Sequence, residues 1–142
     1  MLIGLYSEKA RENIAKLREK INILKIKTNK KNIINFRKEI FENNNTIWDS
    51  IKYSPDFYST SGVRDLLFHA QEHRFGIKTI KKHLETLGLM FIGFEDTSVI
   101  EKFKLANNET KYLYDLNKWE EFENKNPRIF AGMYQFWCQK VI

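Results

Sequence analysis

MLIGLY, at residues 1–6, is the stretch that decides the fold class of this 142-residue chain. An unbroken apolar run of this length is typical of a buried strand, here one that looks cut from a larger sheet. Two more segments have strand character: residues 89–95 and the aromatic residues 133–141, for which a helix is the alternative. Strands separated by helices predict a helix-rich α/β fold with a three-stranded sheet.

Residues 7–80 have the apolar periodicity of helices. Ser7 is the predicted N-cap of the first helix, and Ser61 caps a later helix after a loop at residues 54–60. Gly88 supplies the left-handed stop of the helix that begins at Ile77. The apolar positions assigned to the interior of the first three helices are Ala10, Ile14, Leu17, Ile21, Leu24, Ile33, Phe36, Ile40, Phe41, Trp48 and Ile51.

The composition indicates one compact domain over residues 1–142. Hydrophobic residues make up 42% of the chain, which is enough to form a core and excludes disorder of the whole chain. The single cysteine, Cys138, cannot form an internal disulfide, so we expect a reducing, cytoplasmic location. No run reaches the roughly 18 apolar residues of a membrane-spanning helix, so we expect no membrane partner.

The net charge of +6 arises in the N-terminal third of the chain. Residues 1–45 carry 11 basic and 5 acidic side chains, a difference of 6, whereas residues 46–142 carry 13 of each. A basic nucleic-acid or protein-binding module is therefore an alternative function, with Lys27, Lys30 and Lys31 as its test residues. Because arginines and aromatic residues are not interleaved with these lysines in the sequence, a nucleic-acid partner is disfavoured.

The predicted helix that starts at Ser61 carries four titratable side chains on one face: Asp65, His69, Glu72 and His73. The string HAQEH at residues 69–73 matches the H-x-x-E-H pattern, in which two histidines bind zinc and the glutamate activates water. It therefore indicates a zinc-dependent hydrolase as a second alternative function. Such an enzyme needs a third ligand, which is expected to be a distant acidic residue or, locally, Asp65.

Two other hypotheses explain the same face of this helix. In one, Asp65 and Glu72 form a polar seam that orients the imidazoles or the neighbouring Arg64 and Arg74. In the other, a histidine is a general base, because an imidazole beside a carboxylate titrates near working pH. The sequence does not decide between them.

Several stretches carry a family resemblance over essentially the whole chain. The longest is FYSTSGVRDLLFHAQEHRF at residues 57–75; the others are IGLYS at 3–7, LGLMFIGF at 87–94, WEEFE at 119–123 with Asn126-Pro127, and FAGMYQFWCQK at 130–140. With these stretches, the chain resembles the C-terminal part of a bacterial group of class I S-adenosylmethionine-dependent methyltransferases, often fused to tetratricopeptide repeats.

The resemblance implies that residues 1–6 are the fifth strand of the methyltransferase sheet, residues 89–95 the sixth, and residues 133–141 the seventh, central and antiparallel. Residues 7–80 are then a helical insertion over the active-site mouth, which holds the methyl acceptor. The family's first four strands and glycine-rich cofactor loop are missing, and no two of the six glycines lie two positions apart. We therefore expect the C-terminal, substrate-side part of a methyltransferase, not catalytically competent alone.

The resemblance also assigns site residues and a cofactor. His69 or His73 is the candidate general base, and the candidate substrate-binding residues are Tyr58, Ser61, Arg64, Asp65, Glu72 and Arg74. The cofactor that the family implies is S-adenosylmethionine. We expect this chain alone to bind neither that cofactor nor a metal.

A strand at residues 1–6 that forms the edge of the sheet leaves backbone N–H and C=O groups unpaired, and proteins normally cover such an edge. The sequence therefore predicts association through this strand. The partner is either a second copy, giving a homodimer, or a methyltransferase chain.

Overall fold

A computed structural model describes residues 1–69 and 71–141 of the chain. The chain divides into two compact units: Met1–Arg11 with His73–Ile142, named here the sheet unit, and Glu12–Glu72, named here the helical unit. The architecture is helix-rich α/β with a mixed sheet, as the sequence predicts. The helical insertion is shorter than the predicted residues 7–80, because both ends of that range belong to the sheet unit. That residues 1–142 fold as one domain stays a prediction.

The described residues form four strands, β1 (Leu2–Ser7), β2 (Arg74–Phe75), β3 (Leu89–Phe94) and β4 (Tyr134–Lys140), in the order β2-β1-β4-β3. β4 lies between β1 and β3 and is antiparallel to both, so the three predicted strands and the central place of the last one are confirmed. The predicted number of three strands is wrong, because β2 pairs in parallel with the end of β1. Two residues without an apolar run give no strand pattern in the sequence.

The helical unit consists of α1 (Glu12–Ile23), α2 (Lys30–Glu42), α3 (Thr46–Lys52) and α4 (Thr60–Leu67), with a 3-10 turn at Pro55–Tyr58. Apolar stripes of these helices share one core, formed by Leu17, Ile21, Ile33, Phe36, Ile40, Trp48, Ile51, Phe57, Val63, Leu66 and Leu67. The assignments of Leu24 and Phe41 to the interior are wrong, because their side chains are 55% and 46% exposed. Leu24 lies beyond the end of α1 at Ile23. Phe41, one residue beyond Ile40, is turned by about 100° from the buried stripe of α2.

Two predicted helix starts are displaced in the structure. Ser59, rather than Ser61, caps α4, because the Ser59 Oγ accepts the Gly62 N–H at 2.9 Å. Ser7 Oγ accepts the Ala10 N–H at 3.1 Å, but α1 itself begins at Glu12. The hydroxyl of Ser7 therefore orders the turn between β1 and α1.

Three helices complete the sheet unit: α5 (Ile77–Thr86), α6 (Thr97–Ala106) and α7 (Leu116–Lys125). After α5 the chain turns at Gly88, whose φ of 64° confirms the predicted left-handed stop. None of the helices that the structure describes combines the length and the apolar composition needed to cross a bilayer.

The core of the sheet unit is aromatic. Trp119 of α7 is fully buried and stacks on Phe103 of α6 with a centroid distance of 3.8 Å. From the sheet, Phe94 approaches the Trp119 ring at 4.7 Å. Buried and exposed side chains alternate along β4, and the buried ones, among them Tyr134 and Phe136, belong to this core.

Candidate functional site

The predicted titratable face does not form, because α4 ends before Phe68, its C-cap residue. His69, Glu72 and His73 follow in non-helical backbone. They therefore do not share a helix face with Asp65, which lies on α4. The expectation of a single helix through residues 61–73 is wrong.

Arg18 of α1 explains where α4 ends. Its guanidinium donates to the Leu66 carbonyl oxygen from Nε at 3.0 Å and from Nη2 at 2.8 Å, and to the Asp65 carbonyl oxygen from Nη2 at 3.3 Å. A longer helix would use these two oxygens for its own backbone hydrogen bonds. The side chain of Arg18 thus replaces the next helical turn.

Glu72 is the ion-pair partner of Arg18. Its Oε2 lies 3.0 Å from Nη2 of Arg18, and the two side chains are only 7% and 15% exposed. A charge pair this buried costs free energy when either partner is removed, because the other charge is left without compensation. The carboxylate assigned to substrate binding is therefore engaged in holding the segment after α4.

His69 lies on that segment with an exposed side chain. Its Nδ1 is 2.6 Å from the carbonyl oxygen of Gln71, and the Gln71 N–H donates to the same Nδ1 at 3.3 Å. These two contacts hold the ring against the backbone of Gln71 and leave Nε2 without a contact to that backbone. An exposed imidazole can exchange a proton with a bound substrate.

Four more of the predicted substrate-binding residues are in the helical unit and accessible. Tyr58, in the 3-10 turn, is 64% exposed. Ser61, Arg64 and Asp65 are exposed on α4. With His69 and Glu72, six of the eight predicted residues therefore belong to one unit.

The other two predicted residues, His73 and Arg74, belong to the sheet unit. Arg74 is in β2, where it pairs with Tyr6 of β1. The side chains of His73 and Arg74 are exposed. The backbone of this segment therefore has a structural role that the sequence did not reveal.

No geometric support for zinc is found at the H-x-x-E-H string. Within residues 1–69 and 71–141, no three His, Cys, Asp or Glu side chains gather so that they could hold a metal ion. The spacing of the string places its two histidines together only on a helix, and α4 ends before it.

Two residues of α2, Arg37 and Phe41, contact Tyr58, and the sequence analysis did not identify either of them as a site residue. Arg37 Nη1 donates to the Tyr58 carbonyl oxygen at 3.4 Å, and the Phe41 ring lies 6.2 Å from the Tyr58 ring, centroid to centroid. A helical wheel could have found them, because Lys30, Ile34, Arg37 and Phe41 recur at three- and four-residue steps on a flank about 100° from the buried stripe.

A buried polar cluster lies in the sheet unit at the carboxyl end of β1. Glu123 of α7 is fully buried, and its Oε1 accepts hydrogen bonds from Ser7 Oγ at 2.7 Å and from Tyr134 Oη at 2.6 Å. Lys9 Nζ lies 3.5 Å from Oε2 of the same carboxylate. Burial, and then the hydrogen bond to Glu123, raise the pKa of the Tyr134 phenol well above its usual value. Sequence periodicity placed only apolar residues here.

Compared with known protein families and with curated proteins, the chain matches no family model and no curated protein. The class that the structure defines is a helix-rich α/β protein with a four-stranded mixed sheet.

Proposed function

We propose that the chain is the C-terminal, substrate-side part of an S-adenosylmethionine-dependent methyltransferase, and that it is not competent for catalysis alone. The observation that supports this proposal is the order and direction of β1, β4 and β3. β4 is antiparallel to both neighbours, so β1 and β3 are parallel to each other. This is the arrangement that the family resemblance implies for its fifth, seventh and sixth strands.

The position of the helical unit in the chain agrees with a substrate-binding role. Residue Glu12, where the unit begins, follows closely on Ser7 at the carboxyl end of β1. The family resemblance implies that an insertion at this point of the chain holds the methyl acceptor. We assign the acceptor to the exposed side chains of this unit, with His69 as the residue that takes its proton.

The described residues do not fit the cofactor. A dinucleotide or nucleoside cofactor is normally held by a glycine-rich turn after a strand. β1 instead ends at Ser7 and continues with Glu8 and Lys9, and Ser7 and Lys9 contact the buried Glu123. Another polypeptide segment therefore has to bind S-adenosylmethionine. The role of this chain is to position the acceptor and to take its proton at the imidazole of His69.

The experiment combines genome reading with calorimetry. The coding DNA immediately before Met1 is read, and any segment with a glycine-rich loop after a strand is co-expressed with this chain. We expect S-adenosylmethionine to bind the pair at micromolar concentration and to leave the chain alone unbound. Micromolar binding to the isolated chain, or a pair that binds no S-adenosylmethionine, contradicts the proposal.

A further inference from the structure

One flank of α2 is unusual for a helix that packs on a core. Ile33, Phe36 and Ile40 are buried, and the flank about 100° around the helix from them exposes Ile34 at 39% and Phe41 at 46%. The apolar pair alternates with cations, since Lys30 and Arg37 occupy the same stripe. This stripe, together with Tyr58, is named here the α2 face.

Aromatic rings on the α2 face are both accessible and held in place. The Phe41 ring lies 5.0 Å from the ring of Phe57, which is fully buried, and 6.2 Å from the ring of Tyr58. Arg37 donates to the Tyr58 carbonyl oxygen at 3.4 Å, which ties the 3-10 turn to α2. Tyr58 is 64% exposed although its backbone is fixed. A planar ligand can therefore stack there without first ordering the site.

The helix α2 has a net positive charge. It carries four cations, Lys30, Lys31, Arg37 and Lys38, against two carboxylates, Glu39 and Glu42. Lys30, Lys31 and Lys38 are exposed on α2. Lys38 lies 3.7 Å from Glu42, and Asp56 precedes Tyr58 by two residues, so Lys30, Lys31 and Arg37 supply the excess positive charge of α2. The face therefore attracts a polyanion.

We propose that the α2 face binds single-stranded nucleic acid. Its cations would contact backbone phosphates while unpaired bases stack on Tyr58 and Phe41, which is the combination that recognises single strands without strong sequence preference. A duplex keeps its bases stacked internally, so it gains only the phosphate contacts. An acidic peptide or an anionic lipid surface offers charge but no row of flat rings for two exposed aromatic side chains.

The sequence alone disfavours a nucleic-acid partner, whereas contacts in the folded chain favour one. Arginine and aromatic residues are not interleaved with the N-terminal lysines along the sequence, but folding brings Arg37, Phe41 and Tyr58 together. If the chain acts in methyl transfer, the bound strand carries the acceptor group, and this last step rests on the proposed function. Binding itself does not depend on it.

The test is fluorescence anisotropy with a labelled single-stranded RNA and DNA of mixed sequence, about 12 nucleotides long, against a duplex of equal length. The chain is titrated between about 50 and 200 mM salt. We expect both single strands to bind more tightly than the duplex. We expect Tyr58→Leu to weaken binding roughly 5-fold or more, and Arg37→Gln or Lys30→Gln to lower the salt slope by about 0.7 each.

The matched control is Tyr114→Leu with Lys104→Gln in the sheet unit, where Tyr114 is 61% exposed, close to the exposure of Tyr58. This variant keeps full affinity if the α2 face is the site. Equal binding of duplex and single strand, an equal loss in the control, or no binding overturns the proposal, as does binding only to phosphatidylserine–phosphatidylcholine vesicles. No S-adenosylmethionine is present, so failure of the methyltransferase proposal leaves this result unaffected.

Discussion

Replacement of Tyr134 by Phe tests the buried cluster around Glu123 most directly. The substitution removes only the phenol oxygen, which lies 2.6 Å from Glu123 Oε1. The ring keeps its packing against Phe130 at 4.7 Å and Phe94 at 6.1 Å. The change in free energy of unfolding therefore reports the hydrogen bond rather than lost apolar contact.

The expected loss follows from the charge and burial of the acceptor. A hydrogen bond to a charged group contributes about 1.5–3 kcal/mol, and Glu123 is left with Ser7 and Lys9 as partners. Tyr134→Phe should therefore lower the free energy of unfolding by about 1.5–3 kcal/mol near neutral pH.

The same variant has a distinct alkaline signature. The folded-state pKa of Tyr134 is raised above its unfolded value of roughly 10, so the unfolded chain loses this proton first as the pH rises. The stabilisation is therefore complete below roughly pH 10 and is lost above it, by at most about 1.4 kcal/mol per pH unit. Tyr134→Phe has no such proton, so the gap between the two proteins should narrow in alkali.

Guanidinium unfolding measures both effects through the fluorescence of Trp119, which lies in the sheet-unit core, with Trp48 and Trp137 replaced by Phe in every protein compared. The matched control is Tyr114→Phe, since Tyr114 is 61% exposed. A change within about 0.5 kcal/mol of the parent for Tyr134→Phe, or a gap that stays constant through alkaline pH, would refute this account of the cluster.

Four further predictions concern other parts of the chain. Gly62→Ala should destabilise the helical unit by about 1–3 kcal/mol in thermal unfolding, because a Cβ there would lie 2.2 Å from the Asp56 carbonyl oxygen, whereas Gly132→Ala has no atom within 4 Å and should not. Arg18→Met should cost about 3–5 kcal/mol in urea unfolding, because it leaves the Glu72 carboxylate buried without its cation. Asp96→Ala should cost about 1 kcal/mol near pH 7, because Asp96 caps α6. The Ser98 hydroxyl lowers the pKa of Asp96, so this stabilisation is present above the unfolded value near roughly 4 and the cost should fade as the pH falls through the folded pKa. Leu2→Pro should reduce self-association in light scattering while the protein stays folded, whereas Ile3→Pro should unfold the sheet.

The sheet could be predicted because its strands carry their own signal. The apolar runs at residues 1–6, 89–95 and 133–141 are long enough to be recognised without any knowledge of their neighbours. β2 has only Arg74 and Phe75 and owes its existence to the open edge of β1, where Tyr6 pairs with Arg74. A two-residue strand that forms only by pairing with a neighbour leaves no strand pattern in its own sequence.

The candidate site was predicted less well because it depends on tertiary contacts. The pattern Val63, Leu66, Leu67, Ala70 continues with helical spacing, so nothing local ends α4. The end comes from Arg18, which is 48 residues away in sequence from the carbonyl it binds. Likewise Phe41 is apolar and next to Ile40, but its direction places it beside Tyr58 rather than in the core.

The backbone of β1 shows how much of its edge is left for a partner. Met1 and Cys138 exchange both backbone hydrogen bonds, N–H to C=O at 2.7 and 2.9 Å. In an antiparallel pair the hydrogen-bonded positions alternate, so the backbone N–H and C=O groups of Ile3 and Leu5 also point to β4. Those of Leu2 and Gly4 point to the other side, and after Gly4 this side of β1 is covered by β2. An incoming strand can pair only with these two residues, which is a shorter edge than the sequence indicated. A proline at position 2 removes one of the two N–H donors in this window and none that β4 needs, and this is why it separates association from folding.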